Sequence, residues 1–204
     1  ADLVCLRRRF KFGIWCGLFN SWRAVADILS LPRSVTLFSC ISNSSSMNGA
    51  YKLDISGNYA YIGGYTSDAL TIINISDVTN PRQVSSFTNV SSLDQARGVI
   101  VSGSYAYVVS DSLGSLTVIN VSDVSNPVQV GFVNGFGTVI DLYVSGSYAY
   151  TATTAASTGV FRIINVSDAR NPAQISTFTN ITSIDAALGV YVSGSYAYVI
   201  SSNN

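Results

Sequence analysis

Ser102-Gly103-Ser104-Tyr105-Ala106-Tyr107-Val108 is the stretch that decides the fold, because near-copies of it stand at 56–61, 145–150 and 193–198. Their glycines, Gly57, Gly103, Gly146 and Gly194, lie 46, 43 and 48 residues apart. A period near 45 residues is shared by four-stranded propeller blades and by helical HEAT-type units. Residue types separate the two: the repeat is rich in Tyr, Val, Ile, Thr and Ser, which fit a pleated sheet and disfavour long helices.

Outward from the Ser-Gly-Ser turn, the same unit shows four strand-like segments. Residues 98–101 are apolar and lead into the turn, where glycine supplies the backbone freedom of a tight hairpin. Residues 105–110 return, 116–121 form a third segment, and 128–133 form the fourth and outermost. Between the last two lies Ser122-Asp123-Val124-Ser125-Asn126-Pro127. Its Asp and Asn bond local amides, and Pro127 forbids strand pairing at that point. The units predicted on this basis are 51–97, 98–139, 140–188 and a partial 189–204.

Composition agrees with buried sheets. Only 11% of residues are charged while 48% are hydrophobic, as in strands covered on both faces. Eleven basic residues balance eleven acidic ones, which gives no reason to expect nucleic acid as a partner. All the acids are Asp and there is no His, which removes the commonest general base and zinc ligand. No apolar run reaches the ~18 residues of a membrane-spanning helix. No cofactor or metal is expected.

Residues 1–46 differ from the rest, holding all three cysteines, both tryptophans and six of the eleven basic residues. Spacing still relates them to the repeat: Pro32 to Phe38 lines up with Pro81 to Phe87, and Phe10 lies 22 residues before Pro32 as Tyr59 does before Pro81. The segment is expected to be a degenerate or misread blade. An odd number of cysteines confined to it supports neither a disulfide framework nor a zinc site.

The strings GVYVSGSYAYV and LTVINVSDVSNPVQV resemble the LVIVD repeat family, β-propeller repeats of bacterial and archaeal cell-surface proteins. The resemblance covers 51–204 clearly and 1–50 by spacing alone. It implies an all-β propeller fragment of about four four-stranded blades, the last one truncated, at the cell surface or outside the cell. Its closest structural partners are further blades of the same chain, which is expected to continue past Asn204. Asn74, Asn120 and Asn165 stand where the family usually has Asp, which weakens any cation-holding role there.

Comparison of the units with one another locates variation. The Ser-Gly turn and the Asn-Pro turn keep their lengths, while the second-to-third loop and the fourth-to-next-first loop do not. Both variable loops emerge on one face of a meander, where a rigid scaffold presents function. Candidate ligand-binding residues on that face are Tyr65, Asp68, Asp94, Gln95, Arg97, Asp111, Phe136 and Asp185. No catalytic constellation is identified. The paired tyrosines of each Tyr-Ala-Tyr are expected to pack between blades, since i and i+2 share a strand face. Asp77, Asp123 and Asp168 are expected to close turns instead of holding calcium. The expected function is a noncatalytic module that binds protein or glycan through the loop face. The alternatives are a hydrolase or lyase with an Asp-based site at the channel mouth, and a structural spacer.

Overall fold

The computed structural model describes residues 3–5, 39–155, 158–179 and 187–201. A small sheet pairs β1 (Leu3–Cys5) with β2 (Cys40–Ser42). Three four-stranded sheets follow. The first holds β3 (Ala50–Ser56), β4 (Tyr59–Gly64), β5 (Ala69–Asn74) and β6 (Arg82–Thr88). After the one-turn helix α1 (Val90–Leu93) comes the second, with β7 (Ala96–Ser102), β8 (Tyr105–Ser110), β9 (Ser115–Asn120) and β10 (Val128–Val133). The third has β11 (Thr138–Ser145), β12 (Tyr148–Ala155), β13 (Thr158–Asn165) and β14 (Ala173–Thr179), and a last sheet pairs β15 (Ala187–Ser193) with β16 (Tyr196–Ser201).

Every sheet is an antiparallel meander in chain order, and the inner strands β3, β7, β11 and β15 lie against one another in succession. The protein is thus an all-β arc of propeller-like blades. Among the described residues the sheets do not close into a ring.

Local chemistry sets each blade. At the four Ser-Gly hairpins φ is between +57° and +59°, and a Cβ there would meet nothing. Glycine is required by the left-handed backbone, not by crowding. Asp77, Asp123 and Asp168 each accept the N–H two residues on through Oδ1 at 2.9 Å. Hydrogen bonds, first from the Thr79 side chain to Asp77 and from the Asn171 side chain to Asp168, hold those two carboxyls below their usual range. These are turn-closing aspartates.

Packing between blades supplies the core. Tyr61, Leu70 and Ile72 of the first blade bury against Leu93, Val99, Val108 and Ile119 of the second. Tyr107, Val109 and Leu116 then bury against Val139, Leu142 and Ile164 of the third. Tyr61 and Tyr107 pack between blades as expected from their spacing. Tyr196 and Tyr198, at the same positions of the last sheet, are 71% and 56% exposed.

A polar clamp accompanies this apolar seam. Asn89 Nδ2 and Ser92 Oγ both donate to Gln129 Oε1, at 3.1 and 2.7 Å, and the Ser92 carbonyl accepts from Thr117 Oγ1 at 2.7 Å. One blade earlier Asn43, Ser46, Gln83 and Thr71 make the same bonds. The match puts Asn43 level with Asn89, so Ile41, not Phe38, corresponds to Phe87. The amide cap, which can be satisfied only in one register, sets the alignment three residues later than Pro32 predicts. Pro32 and Phe10 themselves lie outside the described residues.

Candidate functional site

The second-to-third and fourth-to-first loops do meet on one face. Asp68 and Gln95 come from the two kinds of loop, and Asp68 Oδ1 accepts the Gln95 N–H at 2.8 Å. Both have left-handed backbone, φ 50° and 58°, and they are the non-glycine residues that do so among those described. At the equivalent places the neighbouring blades use glycine, Gly114 for Asp68 and Gly49 for Gln95, both with positive φ. Two side chains are therefore held where glycine would be less strained, at a cost of order 1 kcal/mol each.

What those side chains touch explains their position. The Tyr65 hydroxyl donates to Gln95 Oε1 at 2.8 Å and reaches Asp111 Oδ2 at 3.5 Å. Asp111 Oδ2 accepts from Arg97 Nη1 at 2.7 Å, and Arg97 Nη2 donates to the Tyr51 hydroxyl at 3.0 Å. The Arg97 guanidinium carbon lies 4.8 Å from the centre of the Tyr51 ring, and the Tyr51 and Tyr65 rings are 6.1 Å apart. Arg97 Nε is buried without a hydrogen-bond partner. Burial, reinforced by the Asp111 charge, raises the Tyr65 hydroxyl above its ordinary pKa.

Bulges deliver two of these groups. Each inner strand carries an irregularity at the same point, between Ala50 and Lys52, Ala96 and Gly98, Val139 and Asp141, and Ala187 and Gly189. Tyr51 and Arg97 are the extra residues of the first two. A bulge re-aims its side chain out of the ladder, here toward the loop face. Tyr51 was not among the residues picked from sequence, although its equivalence to Arg97 in the repeat is a signal that would have found it.

The other predicted residues divide. Asp94 caps the C-terminal end of α1. Phe136 is 2% exposed, packed in the seam between the second and third blades with the Arg162 guanidinium 5.6 Å from its ring centre. It supports the face instead of lining it, and burial draws the Arg162 pKa down. Asp185 lies outside the described residues. Nearer the axis, Lys52 pairs with Asp141 two blades away, while Asp54 Oδ2 and Asp141 Oδ2 accept the N–H groups of Val101 and Val190 at 2.7 and 2.9 Å. Among the described residues no group of three His, Cys, Asp or Glu is placed to hold a metal ion.

Tyr51, Tyr65, Gln95, Arg97 and Asp111 thus form one connected cluster. Its formal charge sums to zero, and it offers an aromatic surface beside hydrogen-bonding oxygen and nitrogen atoms.

The model of the LVIVD repeat matches residues 49–89, 95–135, 136–179 and 186–204. The chain belongs to the LVIVD repeat family. No curated protein matches it in sequence. Among solved structures, a protein from Lactobacillus plantarum superposes with a TM-score of 0.70 at 15% identity, over 83% of this chain and 55% of that one. A putative 6-phosphogluconolactonase from Bacteroides uniformis gives 0.66 at 15% identity, over 80% of this chain and 52% of that one. The computationally designed Ika4 protein gives 0.61 at 6% identity, over 79% of this chain and 90% of that one. This LVIVD chain therefore spans about half the length of those two natural proteins. At such identities the likeness is one of fold.

Proposed function

We propose that this LVIVD chain is a noncatalytic binding module, working at the cell surface or outside the cell, that takes its ligand on the variable-loop face. The observation that carries the reading is the cluster of Tyr51, Tyr65, Gln95, Arg97 and Asp111, built on two left-handed residues and two bulges. Arg97 and Asp111 neutralise each other, so the site is suited to a neutral partner. A tyrosine ring flanked by amide, carboxylate and guanidinium groups matches the alternating apolar faces and hydroxyls of a glycan. Tyr and Arg are also the residue types enriched where proteins bind proteins.

Glycan-array and pulldown binding by the parent chain and by Arg97→Ala and Tyr51→Ala tests the proposal. Loss of at least ten-fold in affinity for a glycan or protein captured by the parent is expected. A ligand held equally well by both variants would place binding elsewhere.

A second reading, a hydrolase acting near the axis, is favoured by one observation, the name putative 6-phosphogluconolactonase carried by similar structures. Against it, Asp54 and Asp141 are both engaged by backbone N–H groups, and Asp141 by Lys52 as well. Lactone hydrolysis by the parent chain that disappears in Asp54→Asn would support this second reading.

A further inference from the structure

Arg162 is a charge standing where the other blades have none. Strand pairing makes it the equivalent of Thr71 and Thr117: Thr71 lies opposite Ile62, Thr117 opposite Val108 and Arg162 opposite Thr151. Both threonines are fully buried, and each donates its hydroxyl to a carbonyl of the connection that precedes its blade, Ser46 or Ser92. The connection preceding the third blade is shorter. Residues 134–137 stand between β10 and β11 where residues 89–95 stand between β6 and β7, and they hold no counterpart of α1. Phe136 is buried there instead, with the Arg162 guanidinium carbon 5.6 Å from its ring centre.

The charge has no counter-charge beside it. Among the described residues the ion pairs are Lys52 with Asp141 and Arg97 with Asp111, and no carboxylate pairs with Arg162. Its Nη1 donates to Thr153 Oγ1, which itself donates to the Val160 carbonyl at 3.0 Å. Thr151, on the same sheet face, is fully buried with Oγ1 unpartnered, at the place where the other blades carry Ile62 and Val108. Burial draws the Arg162 pKa down. A guanidinium taken from water without a partner costs free energy, and a bound anion recovers it. Arg162 is only half-buried, so part of it still meets solvent. The seam itself is enclosed by two complete four-stranded sheets.

One loop joins this charge to the cluster on the variable-loop face. Asp111, at its start, accepts from Arg97, and Gly114, at its end, accepts the Phe136 N–H at 2.9 Å. A Cβ on Gly114 would collide with the Gly137 backbone, so the two connections touch main chain to main chain. Resting on the loop-face reading above, we propose that Arg162 is a carboxylate subsite of that face and that the ligand is an acidic glycan. A uronic acid sits at Arg162, and a neutral sugar sits at Tyr51, Tyr65 and Gln95. The planar fork of guanidinium N–H groups fits the two oxygens of a carboxylate. One unpaired cation matches one negative charge, whereas a phosphate monoester would bring nearly two.

Titration calorimetry on the whole 204-residue chain tests this, with glucuronate- and galacturonate-containing oligosaccharides as probes, each beside its carboxyl methyl ester. The acid should bind at least about ten-fold more tightly than the ester, as expected for a charge-assisted hydrogen-bonded pair. Arg162→Gln should abolish that preference. Arg162→Thr restores the residue of the neighbouring blades and should abolish it too, with a denaturation midpoint no lower than the parent's. Tyr51→Ala should weaken acid and ester alike and leave their ratio unchanged. A ratio near one in the parent, with Tyr51→Ala still lowering both affinities, would overturn the carboxylate subsite and leave the loop-face reading standing. Absence of binding by every acid and ester would also overturn it. So would a preference that survives Arg162→Gln, or acidic peptides bound in place of the sugars.

Discussion

Gln129→Ala should weaken the seam between the first and second blades by about 2 kcal/mol, a value set by two donors that would be left facing each other. Gln129 Oε1 accepts from Asn89 Nδ2 at 3.1 Å and from Ser92 Oγ at 2.7 Å, and Ser92 is only 2% exposed. A buried polar group left unpaired costs about 1–3 kcal/mol and a lost neutral hydrogen bond about 0.5–1.5 kcal/mol. Asn89 is half-buried and recovers part of its loss from water, which brings the sum near the middle of the range. The repeat contains its own control. Gln174 occupies the same position in the third blade, is exposed, and among the described residues bonds Thr177 through its side-chain nitrogen at 2.8 Å. Gln174→Ala should therefore change stability by less than about 0.5 kcal/mol. Gln129→Glu keeps an acceptor oxygen facing both donors and should lose less than the alanine variant. Urea unfolding followed by circular dichroism measures all three, and exchange of the Ser92 and Leu93 amides reads the seam directly, because neighbouring repeats need not unfold as one unit. If Gln174→Ala costs as much as Gln129→Ala, the clamp is not the source of the effect and the reasoning fails.

Leu70→Ala, at a fully buried position of the same seam, should cost about 2–5 kcal/mol by transfer and cavity terms, read as a fall in denaturation midpoint. Gln95→Gly removes a left-handed non-glycine residue together with its bond to Tyr65. Strain relief and the lost hydrogen bond offset each other, so stability should move by less than about 1 kcal/mol while binding on the loop face falls. Burial raises the pKa of Tyr61, Tyr65, Tyr107 and Tyr143. A raised folded-state value means that the unfolded chain loses those protons first as pH climbs past about 10. Stability should then be intact below that point and decline above it. A phenolate absorbance titration should show these four tyrosines ionising later than a free tyrosine side chain, and titration at the free value would contradict the burial argument.

Much of this architecture was open to reading from the chain alone, and for one reason. A unit copied several times reports which positions tolerate no change in spacing, so the Ser-Gly hairpin, the Asn-Pro turn, the inner-to-outer strand order and the loop face all follow from comparing 51–97, 98–139 and 140–188 with each other. The tyrosine pairs were assigned to packing because side chains two apart share a strand face. Asp77, Asp123 and Asp168 were assigned to turns because a carboxylate two residues before an amide closes one. These are local rules, acting over a few residues.

The candidate site was legible only in part. Tyr65, Asp68, Gln95, Arg97 and Asp111 were picked because their loops vary, but nothing local says that Tyr65 and Gln95 touch across thirty residues. Tyr51 depends on a bulge, which appears only once the strands are paired. Phe136 has the composition of a surface aromatic and is buried, because the shorter β10–β11 connection drops it into the seam between blades.

The repeat thus carried its own account of the fold, since strand, turn and face are fixed by short-range sterics that any copy of the sequence must obey. The tertiary arrangement alone decided which side chains meet and how Asn43 sets the register of the first segment. Those are properties of distances between residues far apart in sequence, and they exist only after the blades have stacked.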